Sequence, residues 1–209
     1  YAYDREWKRE IGGDVKYSLS NNATLDVTLN TDFAQVEADD RQVNLTRFDL
    51  FLPEKRRFFL ERASVFDFTF GDDDRLFYSR RVGLVDGRAV PLLGGARLVG
   101  RMGRWDVGVL DLQTGAGAGR PSENFGVVRL RRPVLNAFSY AGGMVTSRLG
   151  ADGRHNTAIG LDGVFRLFGD DYLVVSAAAA SDAGLRGGGP AASRLPARWE
   201  RRTAAGAGD

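Results

Sequence analysis

Two carboxylates with a cation between them are the arrangement in this chain that comes nearest to acid–base chemistry: Glu54, Arg56 and Glu61 share one short run. In glycoside hydrolysis a pair of carboxylates flanks the scissile bond as acid and nucleophile, and Glu37 with Asp39 makes a second pair of that kind. The plainer reading is a structural cluster, in which these acids neutralise Lys55, Arg56 and their neighbours. Asp72-Asp73-Asp74 offers oxygen ligands to a divalent cation. It lacks the alternating spacing and terminal Glu of a calcium loop, which favours a solvated turn. His155, beside Asn156, is the single histidine, and there is no cysteine. Thiol chemistry, disulfides and thiolate metal sites are therefore excluded, and multi-His cages and Ser-His catalysis have no basis. Gly94-Gly95 and the run from Gly115 to Gly119 precede neither a Lys-Ser/Thr pair nor a helix start, so they are not phosphate loops. No catalytic constellation, metal site or cofactor is expected.

Arginines are the other chemically suggestive set. Arg97 and Arg101 share one face of an alternating segment, and Arg129 and Arg131 one face of another. Lining a lumen, they would attract anionic solutes. Pairing with Asp106, Asp111 or Asp162 on neighbouring strands is the simpler expectation.

The elements that must position these groups read as strands. Asp14 to Ser20 alternates Val15, Tyr17 and Leu19 against Asp14, Lys16 and Ser18. Asn21-Asn22 supplies a turn, and Thr24 to Asn30 alternates again, which predicts a hairpin. Further alternating segments span Leu92 to Met102, Trp105 to Thr114, Phe125 to Arg131, Phe138 to Ser147, Thr157 to Phe168 and Tyr172 to Ser181. Each is close to the ~9–11 residues of a tilted membrane strand. Short turn signals at Gly103-Arg104, Pro133, Asp152-Gly153 and Gly169-Asp170 make neighbours antiparallel, up and down. In Thr157 to Phe168, Ile159, Leu161, Phe165 and Leu167 oppose Gly160, Asp162 and Arg166, so a charge at Leu161 or Leu167 is expected to cost more than a change at Asp162.

Composition sets the bounds. The chain has 209 residues, with 29 Lys and Arg against 27 Asp and Glu. A net charge of +2 gives no electrostatic footprint for nucleic acid. Its 27 glycines are about twice the usual share of ~7%, and many fall inside the alternating segments. No apolar run reaches the ~20 residues of a spanning helix; Tyr172 to Ser181, the longest candidate, lies between Asp171 and Asp182. The sequence opens on Tyr1 without a charged and then apolar leader, which reads as a piece of a longer chain.

The rhythm breaks over 32–74, where Glu37, Asp39, Asp40, Arg47, Asp49, Glu54, Lys55, Arg56, Glu61 and Arg62 interleave with Phe48, Phe51, Phe58, Phe59, Phe66, Phe68 and Phe70. Packed inside a polar lumen, both the charges and the phenylalanines would find partners. A surface loop and short helix capping an ordinary sheet is the alternative. The expected lumen or plug cluster comprises Asp32, Gln35, Glu37, Asp39, Arg47, Glu54, Lys55, Arg56 and Glu61, and the lumen arginines are Arg97, Arg101, Arg129 and Arg131. The domain expectation is a partial barrel over 1–182 with the insert at 32–74. Residues 183–209, rich in Gly, Ala and Arg, read as a loop or frayed end.

Three runs carry a specific resemblance: Asp32-Phe33-Ala34-Gln35-Val36-Glu37-Ala38-Asp39, Val43-Asn44-Leu45-Thr46-Arg47-Phe48, and Phe51-Leu52-Pro53-Glu54-Lys55-Arg56-Arg57-Phe58-Phe59-Leu60-Glu61. They are joined by Leu76-Phe77-Tyr78-Ser79-Arg80-Arg81-Val82-Gly83, Gly94-Gly95-Ala96-Arg97-Leu98 and the segment from Trp105 to Thr114. Over Gly12 to Thr114 the chain resembles the C-terminal domain of a bacterial family of unknown function, whose members carry an N-terminal domain like the family-nine carbohydrate-binding modules. That resemblance implies an antiparallel outer-membrane β-barrel reached through a signal peptide, with carbohydrate handled by the N-terminal domain and lipid as partner. It assigns no active site to the barrel part. Where the family pattern has a proline, Arg57 stands, which leaves the turn at Lys55-Arg56 open.

Together these readings predict an all-β, up-and-down partial membrane barrel of about eight or nine strands, with an inward-folded charged and aromatic segment and open edge strands. Its role would be passage, docking or anchoring for a surface carbohydrate-associated protein. The alternative is a soluble secreted β-sheet glycoside hydrolase using paired carboxylates.

Overall fold

Alternating side chains commit a strand to two different faces, and eight such strands build the body of this protein. The computed structural model describes residues 12–30, 54, 56–70, 74–85, 88–169, 171–183, 191–194 and 197–201. β1 (Gly13–Ser20) and β2 (Ala23–Leu29) form the first hairpin. The chain then leaves the sheet for α1 (Arg57–Leu60), a 3-10 turn at Ala63–Phe66, the two-residue strands β3 (Thr69–Phe70) and β4 (Asp74–Arg75), a second 3-10 turn at Ser79–Arg81, and β5 (Leu84–Val85) with β6 (Arg88–Ala89). It returns as β7 (Leu92–Met102), β8 (Trp105–Thr114), β9 (Glu123–Pro133), β10 (Tyr140–Gly150), β11 (His155–Phe168) and β12 (Asp171–Ala183). Two short strands, β13 (Ala191–Arg194) and β14 (Ala197–Arg201), both pair with β12, within the stretch whose composition reads as a loop or frayed end.

The result is a ten-stranded sheet in the order β1-β2-β7-β8-β9-β10-β11-β12, extended by β13 and β14. All its pairings are antiparallel, so the fold is all-β and up-and-down. Among the described residues its two ends do not pair with each other, and the sheet is open. The tight β7–β8 turn starts with Gly103 at φ +60°, the left-handed geometry that a two-residue hairpin asks of its first residue. Arg57 begins α1, the first helical position, where a proline is equally at home.

Although β2 and β7 are neighbours in the sheet, residues 30–91 lie between them in sequence. The described part of that connection folds back onto one face of the sheet. Phe59, Phe66, Phe68 and Val82 from it join Leu92, Val99, Leu110, Leu112, Phe125, Val127 and Met144 in a single buried cluster. We call this the inward face. The segment is seated where the sheet has no side chain: a Cβ at Gly160 would lie 2.5 Å from Phe68 and 2.9 Å from Leu76, and one at Gly108 would lie 2.8 Å from Val65. Inward-facing glycines on β8 and β11 thus provide the hollows that receive the segment's apolar side chains.

Of the segment expected to fold inward, Phe58, Phe59, Phe66 and Phe68 pack on one face of the open sheet, while 31–53, Lys55 and 71–73 lie outside the described residues. No helix among the described residues is long and apolar enough to cross a membrane.

Gly160→Ala should destabilise the protein by about 1–3 kcal/mol through overpacking against Phe68, measured by urea unfolding. Adding Phe68→Leu should return part of that loss, since both changes act on one contact.

Candidate functional site

The inward face carries the charges as well as the core. Asp26 on β2 and Arg97 on β7 are direct cross-strand partners. Arg97 is only 1% exposed. Its Nη2 lies 2.7 Å from Asp26 Oδ2 and its Nε 3.3 Å from the same oxygen, while Nη1 donates to the Glu61 carbonyl at 2.9 Å. The guanidinium also stacks 5.0 Å from the Phe58 ring centroid. Lys16 on β1 hydrogen-bonds both carboxylate oxygens of Glu61 and stands 4.0 Å from Asp26. β1, β2, β7 and the folded-in segment are therefore joined by one alternating chain of charge, Lys16, Glu61, Arg97 and Asp26.

A second buried pair crosses the far half of the sheet. Arg129 on β9 is 0% exposed and meets Asp162 on β11 with both terminal nitrogens, at 2.5 and 2.6 Å. The intervening strand offers Gly142 at the crossing, where a Cβ would lie 3.0 Å from Arg129 Nη1. A glycine is thus what lets the guanidinium reach across β10. Phe68 of the segment covers the pair, 5.3 Å from the Arg129 guanidinium carbon.

The carboxylate pair of the hydrolase alternative behaves differently. Glu54 accepts from Arg56 Nε and Nη2, both at 2.8 Å, from the Arg56 backbone N–H at 3.0 Å and from Ser79 Oγ at 2.6 Å. Arg56 in turn donates to the carbonyls of Val82 at 2.6 Å and Ser79 at 2.7 Å, and stacks 4.2 Å from Phe59. This clamp closes residues 54–56 onto 79–82. Burial pushes the Glu54 carboxyl up, but the hydrogen bonds from Arg56 and Ser79 and the Arg56 charge outweigh it and hold the group below the ordinary range. The hydrogen bond from Lys16, with the charges of Lys16 and Arg97, does the same for Glu61. A general acid must keep its proton near neutral pH. Glu54 and Glu61 instead each sit ionised against a different cation, an arrangement that ties elements together.

Of the arginines singled out in sequence, Arg97 and Arg129 are the buried ones, and Arg101 pairs with Asp106 at 2.7 Å in the open. Arg131 rests its guanidinium carbon 5.7 Å from the Tyr140 ring. The expected partners are found for Arg129 and Arg101, whereas Arg97 takes Asp26. Asp111 belongs to the other face and accepts from Asn124 at 3.3 Å. Asp162, the one carboxylate on buried Arg129 among the described residues, should be costly to replace on this geometry, because its loss strands a desolvated charge. Asp32, Gln35, Glu37, Asp39, Arg47 and Lys55 lie outside the described residues, as do Asp72 and Asp73. His155 is exposed at the start of β11. Sequence reasoning passed over Lys16, Asp26 and Ser79, and also the Glu123–Arg148 pair at 2.7 Å. For Asp26 the available signal was its place on the polar side of an alternating strand.

Arg97→Met takes from Asp26 its buried partner and leaves it Lys16 at 4.0 Å, and should cost about 3 kcal/mol in urea unfolding, whereas Arg101→Gln should leave the midpoint near that of the parent. The Glu54 clamp adds an acid limb. Because its folded-state pKa is depressed, its contribution is present above the ordinary value of 4.5 and fades as pH falls below it. Glu54→Gln should flatten that part of the stability–pH curve.

Residues 2–90 match the family described as "Domain of unknown function (DUF5916)". The match ends before β7, whereas the resemblance read from sequence extends to Thr114. No curated protein and no solved structure matches the chain significantly. The first two strands and the folded-in segment are thus the part of this chain that is similar to a family of unknown function.

Proposed function

We propose that this sheet is part of the wall of a bacterial outer-membrane β-barrel, with lipid against its outward face and a lumen on its inward face, in which the described part of the folded-in segment forms a constriction or plug. Its role is passage, docking or anchoring for a surface carbohydrate-associated protein, and not catalysis.

One observation carries the reading: both faces of the sheet are apolar, and among the described residues the outward one has no cover. Val109, Val128, Val145 and Ile159 stand side by side in register across four strands, and Val107, Leu130 and Leu161 occupy the next row. These rows face away from the segment, with Ile159 52% and Leu161 63% exposed, while Arg97 and Arg129 are shut away on the other side. A soluble sheet with one free face turns polar side chains out on it. A membrane barrel does the reverse.

The borders of the outward face fit as well. Asp111, Ser147, Thr157 and Ser181 form a polar row at one end, in register through Gly126. At the other end Trp105, Phe138 and Phe168 are exposed, with Arg132 over Trp105 and Arg166 over Phe138. Aromatic rings at that level match the girdle of a membrane barrel. From β7 to β12 the strands run 10 to 14 residues, enough to span at the usual tilt. No observation favours the soluble hydrolase, because Glu54 and Glu61 are each engaged by their own cation.

The parent protein should stay with the outer-membrane pellet through a carbonate wash; release to the soluble fraction discards the barrel. Within the chain, Leu161→Arg should lower stability in lipid by about 2–4 kcal/mol, while Arg131→Gln on the inward face should cost much less. Equal costs in a vesicle refolding assay would show that the two faces have been assigned wrongly.

A further inference from the structure

The inward arginines are not all spent on the fold. Arg97 and Arg129 are consumed by Asp26 and Asp162, but the end of the sheet by the β7–β8 turn keeps an excess of positive charge. There, Arg101 of β7 and Arg131 of β9 flank the same residue, Asp106 of β8, as its two cross-strand partners. Asp106 gives both oxygens to Arg101, at 2.7 and 3.2 Å. Arg131 is left with the face of Tyr140 and, among the described residues, no carboxylate. From the folded-in segment Arg62 enters the same space, its backbone in the left-handed region at φ +50° and one terminal nitrogen on the Asn22 carbonyl at 2.8 Å. A non-glycine residue held there is strained by roughly 1–2 kcal/mol, which the surrounding structure must hold in place.

These residues line a cleft of about 340 Å³ together with Asn22 and Ser64, within the ~300–1,000 Å³ range of small-molecule sites. Among the described residues that line it, three guanidinium groups stand against one carboxylate, with the Glu61 charge also reaching Arg62. Like charges gathered in this way repel until an anion joins them, and planar guanidinium forks match the oxygens of phosphate better than a lone chloride.

We propose that this cleft binds a phosphate-class oxyanion, either a free or solute-borne phosphate or the phosphate of a lipid headgroup. The inference deepens the wall reading, on which it rests for the cleft's place on the lumen side: it makes that end of the lumen selective for phosphorylated over neutral or cationic solutes. Arg131 and Arg62 are the binding residues, and Asp106 orients Arg101 beside them.

The test is calorimetric titration of inorganic phosphate into the protein in zwitterionic detergent at low ionic strength, which needs no bilayer and so succeeds or fails apart from the membrane assignment. Saturable binding should appear and fade with added salt. Arg131→Gln and Arg62→Gln should each weaken it by about tenfold or more. Arg132→Gln, on the outward face over Trp105, should leave it unchanged. If Arg131→Gln loses its β-sheet circular dichroism, Arg62→Gln, which lies outside the sheet, decides the matter. Phosphatidylglycerol added to the micelles separates the sources: competition with phosphate assigns the site to a headgroup, and indifference to it assigns the site to a soluble phosphate. Absence of saturable binding by the parent, or an equal loss in Arg132→Gln, overturns the proposal.

Discussion

A guanidinium with 1% of its surface exposed must find all its acceptors inside the protein, and Arg97 is such a group. Its acceptors come from two directions, the Asp26 carboxylate beside it in the sheet and the Glu61 carbonyl above it in the segment. Moving β2 along β7 by one residue would turn Asp26 to the opposite face and leave both charges stranded. Lifting the segment would uncover a donor in a dry site. Register and segment position are thereby locked to each other, and Lys16 carries the same constraint out to β1 through Glu61.

Arg129 meets the same constraint with its two terminal nitrogens, while its buried Nε has no acceptor among the described residues. It reaches Asp162 over a glycine instead of a neighbour's side chain, and the segment closes it with the Phe68 ring. The two buried arginines lie on separate parts of the sheet, and both are covered by residues from the same connection, 56–82. The sheet is bound to its cover by the apolar cluster and by charge as well.

Much of this was legible in the sequence. Leu92–Met102 and Trp105–Thr114 are bounded identically in sequence and structure, because clean alternation and the Gly103 turn leave no other choice. β9 starts earlier than alternation suggested, at Glu123, where a charged residue points inward and pairs with Arg148. Periodicity reports which residues share a face, but not which face meets protein. The partner of Arg97 was illegible for a related reason: Asp26 is 71 positions away, and only the return of the chain to β2's edge brings them together. Glu54 and Glu61 were equally ambiguous, since spacing alone does not reveal that Arg56 and Lys16 hold them apart in function. Residues 31–53, which carry much of the expected plug cluster, lie outside what the structure describes.

The separation of β2 from β7 also bears on the order in which the molecule assembles. From β7 to β12 every strand pairs with its sequence neighbour, so each contact closes a short loop at small entropic cost. The β1–β2 hairpin is local too, but its union with β7 requires the long connection to collapse first. Two rapidly formed pieces therefore meet at a single late joint, and the Asp26–Arg97 bond sits in that joint. Contacts absent from the transition state govern how fast a protein comes apart and leave its folding rate largely alone. The buried ion pair is then a kinetic latch, setting the lifetime of the assembled state more than the speed of reaching it.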